Sequence, residues 1–323
     1  MWLVTGATGH IGNVLVRKLL GRGDKVRALI PRGESRDPLK GLDVEAVEGD
    51  VLNVDSVFES MRGIRGVFHL AGVISIMPGA IPFVRKVNVE GTKNILRAAK
   101  ESGVGKVVYT SSIHAIQRAE NGVIDESLPF DADNPYGAYD RSKAEATLEV
   151  LDAARAGLEA VVACPTGVIG PHDYRGSMMG SVIHDAAAAK PSLYVDGAYD
   201  FVDVRDVADG LIAAAKNGKR GESYIFSGNK ISVRYLLETI REITGRGFFQ
   251  LKIPFDLAKF AALFTPIYYR FAHATPRFTP YSLEVLKSNS NISHAKATRE
   301  LGYKPRSIYE SISDTVKWFL EKK

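Results

Sequence analysis

The chain has 323 residues, 45% of them hydrophobic and 24% charged, which predicts about two globular domains and excludes a disordered or collagen-like chain. The formal charge is +5 with no long run of like charges, so nucleic acid is not an expected partner. A single cysteine, Cys164, excludes an internal disulfide framework and a cysteine-rich metal site, and no metal is expected. Apolar residues begin at Trp2, Leu3 and Val4 and a turn follows at Gly6, a start that predicts no targeting segment. Candidate strands lie at 2–5, 25–30, 44–48, 66–69, 106–110 and 159–163. Candidate helices lie between them at 11–20, 54–61, 81–102 and 139–156, with Asn53 as an N-cap. Strand and helix in alternation predict parallel βαβ units, a doubly wound α/β sheet with helices on both faces. Val161, Val162 and Ala163 fit a strand buried on both sides. Past Pro165, Gly167, Gly170 and Gly176 predict irregular backbone. A helix at 178–189 and a strand at 193–195 follow, then a helix at 204–215 and a strand at 222–226. From Ser232 onward the pattern is mostly helical. Residues 1–165, joined again by 200–228, are expected to form one domain, and 166–199 with 229–323 a smaller second one. The apolar stretch 255–272 contains Asp256, Lys259, Pro266 and Arg270 and so fails as a membrane span; a cytoplasmic location is expected.

Two local patterns carry chemistry. The first is Thr5-Gly6-Ala7-Thr8-Gly9-His10-Ile11-Gly12, between the first strand and the first helix. Its first two glycines allow tight turning and close approach of backbone to a pyrophosphate. Its third lets helix and strand pack closely, and the helix aims its free N–H groups at the phosphates. The His10 side chain reads as a loop residue rather than a base. The second pattern is Tyr139-Asp140-Arg141-Ser142-Lys143, whose i,i+4 spacing puts tyrosine and lysine on one helix face. A nearby ammonium lowers the pKa of a phenol, and Tyr139 could then exchange a proton with a carbonyl or hydroxyl oxygen.

The glycine turn resembles the TGATGxIG turn of the extended branch of the short-chain dehydrogenase/reductase superfamily, the NAD-dependent epimerase/dehydratase family. Other segments are similar to that family along essentially the whole chain. They include Gly49-Asp50-Val51, His69-Leu70-Ala71-Gly72, Asn88-Val89-Glu90-Gly91-Thr92, Pro165-Thr166-Gly167-Val168-Ile169-Gly170-Pro171, Phe201–Ala208 and Leu301-Gly302-Tyr303 with Trp318. The resemblance implies a Rossmann sheet with a smaller, mostly helical C-terminal substrate domain. It implies a catalytic set of Ser112, Tyr139 and Lys143 supported by Asn88, with Ser111 the close competitor of Ser112. Cofactor contacts are implied at Gly6, Thr8, Gly9, His10, Ile11, Gly12, Asp50, Val51, Leu70, Ala71, Gly72, Tyr139, Lys143, Pro165 and Val168.

An acid ending the second strand would hold the adenosine ribose hydroxyls and repel a 2′-phosphate. None stands there: the chain reads Ile30-Pro31-Arg32, with Glu34 and Arg36 beyond. Arg32 is therefore expected to favour NADP, with NAD possible. Ser112-Ile113-His114 lacks the Thr-Asp-Glu run of the sugar dehydratases, and Tyr199 stands where nucleotide-sugar epimerases commonly carry an arginine. Phe248, Phe249, Phe255, Phe260, Phe264, Tyr268, Tyr269, Phe271 and Phe278 suit either a substrate wall or a helical core or lid. His114 and Gln117 are candidates to face the substrate. The expected activity is reduction or oxidation of a ketone/alcohol pair on an apolar or ring-containing small molecule. This is similar to dihydroflavonol-4-reductase-like and 3β-hydroxysteroid-dehydrogenase-like members. The alternatives are a nucleotide-sugar epimerase with tightly held NAD and a non-catalytic NADP sensor. A homodimer paired through the helices at 81–102 and 139–156 is possible.

Overall fold

The computed structural model describes residues 1–76, 81–247, 249–262, 265 and 279–321. Its centre is a seven-stranded, all-parallel sheet in the order β10-β6-β5-β4-β1-β2-β3. The strands are β1 (Trp2–Thr5), β2 (Val26–Ile30), β3 (Glu45–Glu48), β4 (Gly66–His69), β5 (Val107–Thr110), β6 (Ala160–Pro165) and β10 (Ser223–Phe226). Every residue of β4, β5 and β6 is buried, as a parallel sheet covered on both faces requires. Gly66 is needed where it stands: the Trp2 ring lies over it, and a Cβ there would come within 2.1 Å of that ring.

Apolar stripes dock the flanking helices on this sheet. The first, α1 (His10–Gly21), buries Val14, Leu15, Val16 and Leu19 and packs on α7 (Val204–Asn217). In α2 (Val54–Ser60) the Asn53 side chain caps the helix, accepting from Ser56 N at 3.1 Å. The single helix expected at 81–102 is instead α3 (Pro82–Arg85), one π-helical turn (Lys86–Glu90) and α4 (Gly91–Glu101). Asn88 sits in the widened turn and is drawn inward by the hydrogen bonds described below. Helix α5 (Ala138–Arg155) packs beside β6.

Where glycines predicted irregular backbone, tertiary pairing makes a second sheet. Strand β7 (Gly167–Ile169) runs parallel to β9 (Ala198–Asp203), and β9 runs antiparallel to β11 (Asn229–Ser232). Gly167 clears the Phe201 ring, which a Cβ would meet at 2.8 Å. Residues 200–203 thus complete the small sheet, and the chain returns to the large one through α7 and β10. Asp203 caps α7 and pairs with Arg205, while Asp206 pairs with Arg306. The remaining elements are α6 (Met178–Ala187), β8 (Ser192–Val195), α8 (Val233–Thr244), β12 (Gln250–Ile253, parallel to β8), α9 (Phe255–Ala262), α10 (Pro280–Lys287), α11 (Ala295–Leu301) and α12 (Ile308–Glu321). Among the described residues no helix is long and apolar enough to cross a membrane.

Candidate active site

The glycine turn lies at the C-terminal end of β1, where open α/β sheets bind ligands. Gly6 has φ +68°, and a Cβ on it would strike the Leu70–Ala71 peptide at 2.8 Å. On Gly12 a Cβ would stand 2.0 Å from the Gly6 carbonyl oxygen. No side chain caps α1, so the N–H groups of its first turn face the turn unclaimed by a cap. A backbone stripped of Cβ atoms before an uncapped helix start fits a dinucleotide pyrophosphate. The His10 side chain leaves this surface, with Nε2 3.0 Å from the Pro171 carbonyl. Asn13, fully buried, donates to the Gly9, His10 and His172 carbonyls.

A buried relay joins the turn to the middle helix. Thr5 Oγ1 accepts from Ala71 N at 3.1 Å and meets His69 Nδ1 at 2.7 Å. His69 Nε2 meets Thr92 Oγ1 at 3.0 Å, and Thr92 donates to the Asn88 carbonyl. Burial first, and the Lys143 charge second, push His69 down to about 3, so its imidazole is neutral. Asn88 accepts from Val73 N at 2.7 Å and donates to the Val73 carbonyl and to Ser142 Oγ. It positions the backbone after β4 against α5, and a Cβ on Gly72 would lie 3.1 Å from its Oδ1.

Ser112, Tyr139 and Lys143 converge at the end of β5. Ser112 Oγ accepts from His114 N at 3.2 Å, and its hydroxyl lies close enough to the Tyr139 phenol to oppose the upward push of burial on that group. Ser111 turns away, pairing with Thr147 Oγ1 at 2.6 Å, which separates the two serines that the sequence left in competition. Lys143 is buried, and Nζ donates to the Thr110 carbonyl at 2.7 Å and lies 4.9 Å from the Tyr109 ring centroid. Burial lowers Lys143 to about 8. The expectation that Lys143 acidifies Tyr139 is corrected here. Burial pushes the phenol up to about 12 against the opposing interaction with Ser112, while Lys143 Nζ points to the Thr110 carbonyl. Tyr139 therefore carries its proton at neutral pH.

A network that the sequence did not reveal borders this group. The carboxylate of Asp140, next to Tyr139, is fully buried. It accepts from Arg118 Nη2 at 3.0 Å and from Tyr281 OH at 2.7 Å, with His114 Nδ1 at 3.9 Å. His114 Nε2 meets Tyr199 OH at 2.9 Å, and the Arg118 guanidinium stacks 3.6 Å from the Tyr136 ring centroid. His114 is thus held by Tyr199, while Gln117 is exposed. Docking of α10 brings Tyr281 onto this carboxylate, a contact that the sequence did not show.

The other expected contacts are spread along the crevice. Arg32 is exposed just beyond β2, and Glu34 folds back so that its carboxylate accepts from Thr8 Oγ1. Asp50 is exposed and accepts from Leu52 N, and Val51 is buried against Gly91. Leu70, Ala71 and Gly72 follow β4; Pro165 ends β6 and Val168 is in β7. Of the aromatic set, Phe248, Phe264, Tyr268, Tyr269, Phe271 and Phe278 lie outside the described residues, as do Pro266 and Arg270. Phe249 and Phe260 are exposed, and Phe255 packs under the Lys287 ammonium, 3.4 Å from its ring centroid.

Residues 2–226 match the model of the NAD dependent epimerase/dehydratase family. The chain is 37% identical to sterol demethylase protein B of Methylococcus capsulatus, over 99% of this chain and 98% of the relative. It is 33% identical to a Synechocystis protein provisionally named dihydroflavonol 4-reductase, over 98% and 94% of the two chains. The crystal structure of gox2253 superposes with a TM-score of 0.85 at 32% identity, covering 100% of this chain and 98% of that one. With its Rossmann sheet, the chain belongs to the NAD dependent epimerase/dehydratase family, in the dihydroflavonol-4-reductase-like and 3β-hydroxysteroid-dehydrogenase-like branch, and is an NAD(P)-dependent oxidoreductase of the short-chain dehydrogenase/reductase type.

Proposed function

We propose that this enzyme interconverts a ketone and an alcohol on an apolar, ring-containing small molecule and prefers NADP(H). The observation that carries the reading is the convergence of Ser112 and the Tyr139 phenol at the end of β5, beside the buried Lys143. A bound nicotinamide supplies or accepts the hydride. Ser112 hydrogen-bonds the substrate oxygen, and Tyr139, protonated at neutral pH, donates its proton to that oxygen during reduction. Lys143 presents its ammonium towards the cofactor ribose, and Asn88 keeps the wall of Val73 and Ser142 in place. The relatives' names, one for a sterol and one for a dihydroflavonol, support a fused-ring substrate. Tyr199 is buried and bonded to His114, so it offers no cation to a nucleotide-sugar diphosphate. Residues 166–199 and 229–323 form the substrate side in this reading. The proposal includes a cytoplasmic location and a homodimer paired through α4 and α5.

The test is turnover of purified protein with a panel of cyclic ketones, following NADPH and NADH oxidation, together with native mass spectrometry for retained cofactor. Net NADPH consumption with exchangeable cofactor is expected. Tightly retained NAD with no net consumption would replace this reading with epimerisation. Binding without turnover on any carbonyl compound would replace it with a sensor. Faster turnover with NADH, in wild type and in Arg32→Ala alike, would end the cofactor preference.

A further inference from the structure

The loop after β2 carries an acid back to the glycine turn. The Glu34 carboxylate accepts from Thr8 Oγ1 and is also paired with Arg175, from the segment that follows β7. Arg175 Nη2 donates to Thr8 Oγ1 at 2.9 Å, which closes a triangle of three residues from three distant segments. The segment that brings Arg175 is pinned to α1. His10 Nε2 meets the Pro171 carbonyl, Asn13 Nδ2 donates to the His172 carbonyl at 3.1 Å, and Arg17 Nη2 donates to Tyr174 OH at 3.3 Å. Asp173 Oδ2 accepts from Ser177 N at 2.8 Å and fixes the far end. Arg175 also lines a cavity of about 770 Å³ with Ser35, Asp37, Pro38, Lys40 and Tyr174, beside the same triangle.

In dinucleotide folds an acid beyond the second strand bonds the ribose hydroxyls and repels a 2′-phosphate. Glu34 brings such an acid to Thr8 by a longer route, after a strand end that lacks one. Left alone, it would select against NADP(H). Its charge is covered by Arg175, whose side chain is still 53% exposed. We propose that Arg175 is a specificity-determining residue for the cofactor: by neutralising Glu34 at the glycine turn it admits the 2′-phosphate of NADP(H). The inference rests on the cofactor preference proposed above and names the group that produces it.

Calorimetric titration of NADPH and NADH into wild type, Arg175→Ala, Glu34→Gln and the double variant tests it without turnover. Removing Arg175 exposes a bare carboxylate to a phosphate, so the NADPH Kd rises on the order of tenfold or more. The NADH Kd of that variant stays within about threefold of wild type, which also serves as the folding control. Glu34→Gln added to Arg175→Ala returns the NADPH Kd to within about threefold of wild type. Equal weakening of both cofactors, or no recovery in the double variant, overturns the inference. A wild type that binds NADH more tightly ends the proposed preference instead. The inference then stands or falls on whether Arg175→Ala still shifts the NADPH/NADH ratio by about tenfold.

Discussion

Lys143 Nζ donates to the Thr110 carbonyl oxygen at 2.7 Å, tying α5 to the C-terminal end of β5. The bond holds a buried cation beside Gly72, where a Cβ would stand 3.4 Å from Nζ. It also separates the work of lysine and tyrosine. The ammonium orients strand and helix, and the phenol keeps its proton because burial, not the lysine, governs it.

Burial lowers Lys143 to about 8, so its positive charge is present below that pH and is lost as pH rises through it. The kcat/KM for reduction is expected to fall on that alkaline side. Lys143→Arg, which keeps its charge at any working pH, should move the limb upward even if its rate is lower. A wild-type profile flat to pH 9.5 would remove Lys143 from the mechanism.

In the proposed reaction Tyr139→Phe removes the proton donor but little of the dinucleotide surface. Turnover is expected to drop by roughly 10²–10⁴-fold, the range of general acid catalysis. Cofactor affinity, read by fluorescence titration, should change by no more than about threefold. Near-normal turnover would refute the assignment.

Gly12→Ala puts a methyl group 2.0 Å from the Gly6 carbonyl and 2.9 Å from Ala7 Cα, both backbone atoms. The turn must open to admit it. A loss of about 1–3 kcal/mol in urea unfolding is expected, as for overpacking, with a larger loss in dinucleotide affinity. Unchanged affinity would mean the turn does not cradle the cofactor.

His69 is neutral in the fold, with its pKa pushed down to about 3 by burial, and takes up a proton near 6.5 when unfolded. The unfolded state therefore binds more protons below 6.5. The stability that this group contributes is full above that pH and shrinks as pH falls towards 3, by about 1.4 kcal/mol per pH unit. Between pH 7 and pH 5 the His69 share of the loss is about 2 kcal/mol. His69→Gln should unfold more easily at pH 7 and lose that share of the pH dependence. An identical slope in wild type and variant, by urea titration at both pH values, would contradict it.

Much of the frame is legible in the chain order of residues. The strands at Trp2–Thr5 and Gly66–His69 have the limits their apolar runs suggest, and Asn53 caps the helix it precedes. Local patterns sufficed because burial on both sheet faces demands continuous apolar runs. The π-helical turn at Asn88 was not legible, since it follows from hydrogen bonds to Val73 and Ser142. Nor was the small sheet, whose strands pair across long stretches of sequence.

By itself the sequence determined the parallel sheet, the glycine turn before the first helix and the tyrosine and lysine on one face of a helix. Each depends on spacing within a few residues, and sterics or helical pitch enforce that spacing wherever the chain goes. Tertiary structure alone decided which serine meets Tyr139, which group holds the Lys143 charge, and that Glu34 returns to Thr8 under Arg175. Those outcomes depend on distances between remote segments and on how deeply packing excludes water from each charge, quantities that no local pattern encodes.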